Sequence, residues 1–311
     1  YFIPDGVASY TVGGTTFLVT ANEGDEKEYT GFTERVAVGA GAYTLDATNF
    51  PNASVLKQNH NLGRFRVTNL NGNTDADAQF ETIHCLGTRS FSIFNTSTKQ
   101  IVFDSGDDFE RYTAANLPTL FNADHENNTP KGRSRAKGPE PEGVTIAQIA
   151  TETFAFVSLE RVGGVIVYNI TNPNNPVFVD YKNSRSTSAY SGDHGPEGIT
   201  YIAPANSATA KGYVLVANEI SGTITIYEVD ENTLSSSDFN SEPKTFVIFP
   251  NPASNSEIVY FNRVADIEVY DVTGKLILTE KEALSINTSK LQTGVYLVKT
   301  SEGITKKLVV K

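Results

Sequence analysis

The hydrophobic residues of this chain occur in short runs that polar residues interrupt at close intervals. Runs such as Phe17–Thr20, Phe154–Leu159 and Thr223–Val229 are rich in Val, Ile, Thr, Tyr and Phe, and Gly, Asn, Asp or Pro separates each run from the next. Runs of β-branched and aromatic residues bounded by turn residues are typical of strands. No stretch shows the apolar spacing of a helix of any length. The pattern therefore predicts an all-β protein.

Three segments repeat the same start, in which an acid and a glycine precede an aliphatic strand. They are PDGVASY (Pro4–Tyr10), PEGVTIA (Pro141–Ala147) and PEGITYI (Pro196–Ile202), and each is followed by a second strand that ends in an acid. A further unit, with strands Ser90–Asn95 and Gln100–Gly106, lacks so clear a start. About four units of roughly 55 residues thus occupy residues 1–240, which predicts a β-propeller with about four blades in this chain. We expect further blades before Tyr1, because a closed propeller usually has more and the chain lacks an initial Met.

The composition changes at the polar stretch Ser235–Lys244, and the residues beyond it form a separate pattern. Residues 246–311 alternate as strands joined by turns, which predicts a small antiparallel β-sandwich of the immunoglobulin-like kind. This tail has a net charge of +1, whereas residues 1–245 have a net charge of −12, which together give the −11 of the chain. That acidic excess argues against nucleic acid as a partner. No apolar run is long enough to predict a membrane span.

Acids recur where each predicted hairpin opens, and their numbering suggests that they face one another. In an antiparallel hairpin, facing residues are equidistant from the turn. Asp5 and Glu23 are centred on the Gly13-Gly14 turn, Glu142 and Glu160 on residue 151, and Glu197 and Glu219 on residue 208. We therefore expect six carboxylates near the propeller axis, with Asp25 beside them. The predicted ligand-binding set is Asp5, Glu23, Asp25, Glu142, Glu160, Glu197 and Glu219.

Calcium is the cofactor that this set predicts, because it takes about six to eight oxygen ligands in loose geometry. The metal ligands expected from the two later hairpins are Glu142, Glu160, Glu197 and Glu219. Clustered carboxylates raise one another's pKa unless cations or N–H groups offset them. The alternative is therefore structural, with the acids bonded to turn N–H groups or paired with Arg35, Arg89 or Arg161.

Other chemistry is less clearly marked. His194, in the turn GDHGPEG, is the candidate general acid or phosphate contact, although a single loop histidine is more often structural. The acids of Phe103–Glu110 and Asn71–Glu81 have spacings that suit calcium, but the first is more typical of a solvated turn and the second lacks a closing acid at the expected distance. The basic run Lys131–Lys137 suits a solvated loop or contact with an anionic ligand. Neither a serine nucleophile motif nor a phosphate-binding glycine loop occurs.

The tail resembles a known export signal. Its segments FPNPASNSEIVYF (Phe249–Phe261), IEVYDVTGKLI (Ile267–Ile277), INTSKLQTGVYLVK (Ile286–Lys299) and KKLVVK (Lys306–Lys311) are similar to the type A C-terminal sorting domain of the type IX secretion system of Bacteroidota. The resemblance implies recognition of residues 246–311 by the translocon and its outer-membrane shuttle protein. It also implies a protein that is secreted or held at the outer-membrane cell surface of a Gram-negative bacterium.

The rest of the chain resembles the choice-of-anchor I domain, a β-propeller family of bacterial surface and secreted proteins. The resemblance rests on IPDGVASY, TANEGDEKEY (Thr20–Tyr29), RSFSIFN, FDSGDDFE, KGPEPEGV (Lys137–Val144) and LERVGGVIVYNITNP (Leu159–Pro173). Such repeats are distantly similar to phytase-like and alkaline-phosphatase-like propellers, whose axial acids bind calcium. We therefore expect a calcium-stabilised propeller that binds an unidentified surface ligand or acts in adhesion. The alternatives are a calcium-dependent phosphoester hydrolase, for which no nucleophile or base can be assigned, and a purely structural cargo domain.

Overall fold

The computed structural model describes residues 1–75, 77–230, 234, 246–301 and 303–311. The chain divides into two compact units, residues 1–239 and residues 240–311. Strands predominate in both units, which confirms the all-β prediction. Among the described residues, no helix combines the length and the apolar character needed to cross a membrane.

The strands of the first unit are β1 (Val7–Val12), β2 (Thr15–Ala21), β3 (Glu28–Tyr29), β4 (Phe32–Thr33), β5 (Arg35–Ala37), β6 (Thr44–Leu45), β7 (Arg66–Thr68), β8 (Gln79–Phe80), β9 (Phe91–Asn95), β10 (Gln100–Asp104), β11 (Pro141–Ile149), β12 (Glu152–Leu159), β13 (Val165–Asn169), β14 (Val177–Lys182), β15 (Pro196–Ile202), β16 (Gly212–Asn218) and β17 (Thr223–Val229). Its helices are α1 (Ala53–Leu56), α2 (Asp108–Asn116) and a 3₁₀ turn at Pro204–Asn206.

Three antiparallel sheets form the body of the first unit. Their strand orders are β1-β2-β9-β10, β11-β12-β13-β14 and β15-β16-β17. In the second and third sheets, neighbouring strands follow one another along the chain, as in the blades of a propeller. In the first sheet, β2 is followed by β9. Apolar side chains fill the space between sheets, with Phe91 and Tyr168 buried between the first and second, and Val167 and Val216 between the second and third.

The sequence predicted about four units in this region, whereas the described residues form three such sheets. The difference arises at β9 and β10, which the repeat pattern placed in a unit of their own. They are the outer half of the first sheet, because β9 pairs directly with β2 and Leu18 lies opposite Phe94. A long insertion separates these partners along the chain, so the local pattern contains no trace of their pairing.

That insertion has its own small core. Its short strands pair as β3-β4, β5-β7 and β6-β8. The buried residues of its core are Val38, Tyr43, Leu45 and Val67, and residues of β5 and β8 pack against them. Helix α2 is a second difference from the prediction, since no helix was expected and Phe103–Glu110 was interpreted as a solvated turn. Its acidic first turn suits a helix N-terminus, and Phe109 and Thr113, one turn apart, are buried. The helix spans nine residues, which is too short for a clear periodic signal.

The second unit contains β18 (Ile248–Phe249), β19 (Ile258–Asp271), β20 (Leu276–Asn287), β21 (Gly294–Thr300), β22 (Thr305–Val310) and a 3₁₀ turn at Thr288–Lys290. The strand order is β18-β19-β21-β22, with β20 paired to the other edge of β19. A bridge between Ala253 and Val310 draws the ends together into a nearly closed barrel. Inward residues such as Val259, Ile267 and Val298 form its core. This unit confirms the prediction of a small all-β domain at the C-terminus.

Candidate functional site

The repeated acid-glycine starts lie side by side in space. Strand β1 contacts β11, and β11 contacts β15, so that the three starts follow one another across the sheets. The N–H of Gly6 donates to the carbonyl of Glu142 at 2.9 Å. A Cβ atom at Gly6 would lie 2.5 Å from that carbonyl oxygen, and one at Gly143 would lie 2.8 Å from the carbonyl oxygen of Glu197. The glycines are thus needed where one sheet meets the next, and the acid before each glycine is carried into the same region.

The hairpin registers differ by one residue from those predicted. Val7 pairs with Thr20, which leaves Glu23 one residue beyond the position that faces Asp5. Glu160 donates its backbone N–H to the carbonyl of Glu140, and so does not face Glu142. The registers of the two later hairpins shift again at Pro141–Val144 and Pro196–Gly198, where bulges contain Glu142 and Glu197. A bulge redirects side chains, and no local sequence signal placed these bulges.

The closest group of predicted ligands consists of Asp5, Glu23 and Glu142, which we call the carboxylate cluster. Each offers an oxygen, and these oxygens lie within 4.8 Å of one another. Asp5 is exposed, whereas Glu142 is only 6% exposed. Burial raises the pKa of Glu142 to about 9, and the negative charges of Glu23 and Glu160 add to the effect. Among the described residues, no cation forms an ion pair with Glu142.

A second group, Glu23, Glu140 and Glu160, is already neutralised by basic side chains. Glu140 is fully buried and forms ion pairs with Arg133, Lys137 and Arg161. Burial would raise the pKa of Glu140, but those positive charges outweigh it and hold the pKa below its ordinary value. The Nζ of Lys137 also lies 2.7 Å from Glu23, although burial still raises the pKa of Glu23. Glu140 thus has three cationic partners, whereas Glu142 has none among the described residues.

Glu160 has partners of its own. Its Oε1 lies 3.0 Å from Nδ1 of His125 and 3.3 Å from Nη2 of Arg161. Arg161 was one of the three arginines that the structural alternative named as partners for these acids, and Glu160 pairs with it. Arg35 and Arg89, the other candidate partners, instead pair with Glu26 and Glu110.

The remaining predicted ligands lie at the rim. Asp25, Glu197 and Glu219 are exposed. Although Glu197 is exposed, partial desolvation of its carboxyl raises its pKa, and the charge of Glu219 adds to the effect. In the described part of the chain, the three-acid groups that could hold an ion include neither Glu197 nor Glu219. Of the predicted metal ligands, only Glu142 thus lies in the carboxylate cluster, where its neighbours Asp5 and Glu23 belong to the wider predicted ligand-binding set.

The basic loop supplied residues that the sequence reasoning missed. Arg133 and Lys137 were placed in a solvated loop, yet both are half-buried and bind Glu140. The spacing of the basic run does not separate them from Arg135, which is exposed, because Lys131 and Arg135 are also four residues apart. His125, which formed no metal pattern in the sequence, is likewise buried beside Glu160.

His194 is buried rather than presented to solvent. Its ring centroid lies 4.4 Å from that of Tyr190, and its backbone N–H donates to Oγ of Ser221 at 3.1 Å. Nε2 has no hydrogen-bond partner among the described residues. Burial, followed by the charge of Arg185, lowers the pKa of His194. The imidazole is therefore held neutral, and its role as a general acid stays a prediction.

A polar network that the sequence did not reveal fixes the strand ends next to Glu23 and Glu219. Asn22 donates to the hydroxyls of Ser90 and Ser92, which in turn donate to Asp104. The third sheet repeats the arrangement: Asn218 donates to Thr223 and Thr225, which donate to Asp193. In each case the asparagine directly precedes the acid of the site.

The two other candidate calcium segments differ in outcome. Asp75, Asp77 and Glu81 have oxygens within 4.8 Å of one another. Glu81 therefore lies close to the two aspartates, although its distance along the chain differs from that of the closing acid in a calcium loop. In the second segment, Asp108 pairs with Arg111, and Glu110 pairs with Arg89. Asp104 accepts from Ser90 and Ser92, as described above. These contacts give the acids Asp104, Asp108 and Glu110 a structural role.

Two curated animal proteins are similar to this chain. Gigasin-3a of Magallana gigas is 26% identical over 184 residues, which are 54% of this chain and 64% of that protein. The mesenchyme-specific cell surface glycoprotein of Strongylocentrotus purpuratus is 22% identical over 260 residues, which are 73% of this chain and 31% of that protein. The chain thus spans less than two thirds of the length of either relative.

A solved structure of the BSP domain of a biofilm associated protein is 13% identical. It covers 71% of this chain and 41% of its own, with a TM-score of 0.18. A TM-score this low does not indicate a shared fold.

Two family models match the chain in succession. Residues 247–311 match the secretion system C-terminal sorting domain, which marks cargo of the type IX secretion system. The protein is therefore secreted or attached to the cell surface, and the sorting domain implies recognition by the type IX machinery. Residues 1–173 match the choice-of-anchor I domain. Because that match covers more than half of the chain, the protein belongs to the choice-of-anchor I domain family.

Proposed function

We propose that this exported protein binds calcium at the carboxylate cluster and uses the bound ion to hold an extracellular ligand in adhesion. The observation that carries the proposal is the approach of three carboxylate oxygens within 4.8 Å. One of these oxygens belongs to Glu142, which has no cationic partner among the described residues. The surface localisation adds support, since extracellular calcium is plentiful enough to fill sites of modest affinity.

The donor chemistry suits calcium better than a transition metal. All three side chains are hard oxygen donors, and the cluster includes neither histidine nor cysteine. Three carboxylates leave part of the coordination sphere of calcium to other oxygens. Asp5 is exposed, so an incoming carboxylate, phosphate or sugar hydroxyl can reach that open side. The ion would then bridge protein and ligand.

Lys137 limits where the ion can lie. Its ammonium is 2.7 Å from Oε1 of Glu23 and 2.6 Å from the carbonyl oxygen of Gly24. A divalent cation at the cluster would be repelled by this ammonium, so the site is on the Asp5 and Glu142 side of Glu23. Calcium would there offset the charge repulsion that now falls on Glu142.

Calcium titration of the full chain by isothermal calorimetry, after removal of metals, tests the proposal. We expect saturable binding at millimolar calcium or below, and a loss of at least about tenfold in affinity in Glu142→Gln, because one ligand charge is removed. Glu228→Gln is the matched control, since Glu228 on β17 is an exposed carboxylate that pairs with Lys211 and lies outside the cluster. Equal affinity in Glu142→Gln and Glu228→Gln would place any calcium elsewhere.

The same preparations distinguish binding from hydrolysis. A phosphomonoester and phytate are incubated with the protein, with and without calcium. We expect no turnover above the buffer rate. Calcium-dependent turnover that Glu142→Gln and Glu219→Gln abolish would replace the adhesion model with a phosphoester hydrolase.

A further inference from the structure

Four arginines line one cavity in the insertion of the first unit. The cavity has a volume of about 380 Å³, and Arg35, Arg64, Arg66, Arg135 and Asn59 contribute its polar walls. No Asp or Glu belongs to the lining. The chain as a whole has a net charge of −11, so this group of four arginines is a local region of opposite charge. We call this cavity the arginine pocket.

Strand geometry explains why the arginines meet. In the β5-β7 pair, Val36 faces Val67, and Ala37 faces Arg66. Side chains alternate between the faces of a strand, so the valines enter the buried core while Arg35, Ala37 and Arg66 share the opposite face. The small side chain of Ala37 leaves space between the two arginines.

The third side of the pocket comes from the basic loop. The N–H of Arg66 donates to the carbonyl of Arg135 at 2.8 Å, which fixes that loop along the edge of β7. Whereas Arg133 and Lys137 of the same loop bind Glu140, Arg135 lies in the wall of the pocket. The basic side chains of this loop therefore serve two places: Arg133 and Lys137 pair with Glu140, and Arg135 lines the arginine pocket.

Within the described part of the chain, most of this positive charge has no ion-pair partner. Arg35 pairs with Glu26 and Glu28, whose carboxylates lie outside the lining. Among the described residues, no ion pair involves Arg64, Arg66 or Arg135. Burial lowers the pKa of Arg66, and the charge of Arg135 lowers it further. An anion in the pocket would relieve this repulsion.

We propose that the arginine pocket binds a tetrahedral oxyanion, a sulfate or phosphate group, carried on a small organic body. A guanidinium donates two parallel hydrogen bonds to such oxyanions, and Arg is better suited to this geometry than Lys. The volume of the pocket is within the range of small-molecule sites and exceeds the need of a free oxyanion. Asn59 offers an amide for the attached group.

Calorimetric titration of the full chain with glucose 6-sulfate and glucose 6-phosphate, in chloride buffer containing a calcium chelator, tests the proposal. We expect saturable binding of at least one of the two esters at millimolar concentration or below, and no comparable binding of glucose. The two esters distinguish a sulfated from a phosphorylated ligand. Because calcium is absent, failure of the calcium proposal leaves this test unaffected.

Variants localise the binding. Arg66→Gln and Arg135→Gln should each weaken it at least about tenfold, since a charge-assisted bidentate contact is lost. Arg64→Gln, at an exposed position, should weaken it without risk to the fold. Lys99→Gln is the matched control, because Lys99 is an exposed cation in the turn between β9 and β10. Wild-type affinity in all three arginine variants, or no saturable binding of either ester, would overturn the proposal.

Discussion

At the scale of single residues, Glu142 shows how burial and charge act together on one carboxyl. It lies next to Asp5 and Glu23, and the cations of the neighbouring loop bind Glu140 and Glu23 instead. Its pKa of about 9 follows from burial and from the surrounding negative charges. At neutral pH the metal-free protein therefore keeps this carboxyl protonated.

This shift predicts how metal-free stability depends on pH. The pKa of Glu142 is higher in the folded state, at about 9, than in the unfolded chain, where it is 4.5. Its carboxyl therefore contributes its full stabilisation only below pH 4.5, and this contribution is lost as the pH rises toward 9. Glu142→Gln, which stays neutral, should escape the loss. In chelator, we expect its melting temperature to exceed that of the wild type by a few degrees at pH 8 and by less at pH 5. An equal difference at both pH values, or a lower melting temperature at pH 8, would contradict the shift.

At the scale of elements, contacts between sheets explain the repeated acid-glycine start. Gly6 and Gly143 each lie against the carbonyl of the acid that opens the next sheet. Gly198 has the same sequence context but an open environment, where a Cβ atom would meet only the Cβ of Ala217 at 3.7 Å. The motif therefore has a packing role in the first two sheets that it lacks in the third.

These environments predict unequal effects of one substitution. Gly143→Ala should lower the free energy of unfolding by about 1–3 kcal/mol, because its Cβ would clash with the carbonyl of Glu197 and with Ile199. Gly198→Ala should change it far less. Urea unfolding of both variants gives the comparison. Equal losses would mean that sheet contact is not the reason for the glycine.

At the scale of the whole molecule, the sorting domain and the two proposed binding sites belong to separate compact units. The sorting domain match occupies residues 247–311, within the second unit, while the carboxylate cluster and the arginine pocket lie in the first. The first unit has its own hydrophobic cores, and the second has another. Removal of the tail should thus change the cellular location of the protein but leave the fold of the first unit intact.

Deletion of residues 246–311 tests this separation. In a host with a type IX system, we expect the truncated protein to stay in the periplasm, because the translocon no longer recognises it. Cell fractionation and surface labelling, compared with the full chain, measure the outcome. Unchanged display at the surface would refute export by this route.

The sequence alone determined the all-β class, the sorting domain and the acids that open each hairpin, because turn residues, alternation and motifs are local properties of the chain. Only the tertiary structure decided which charges are neutralised: Lys137 reaches Glu23 across 114 residues, and Arg66 meets Arg135 across a strand edge. It also joined β9 to β2 across the insertion and moved each register by one residue. Ion pairs, bulges and strand partners depend on segments distant along the chain, so local periodicity could not specify them.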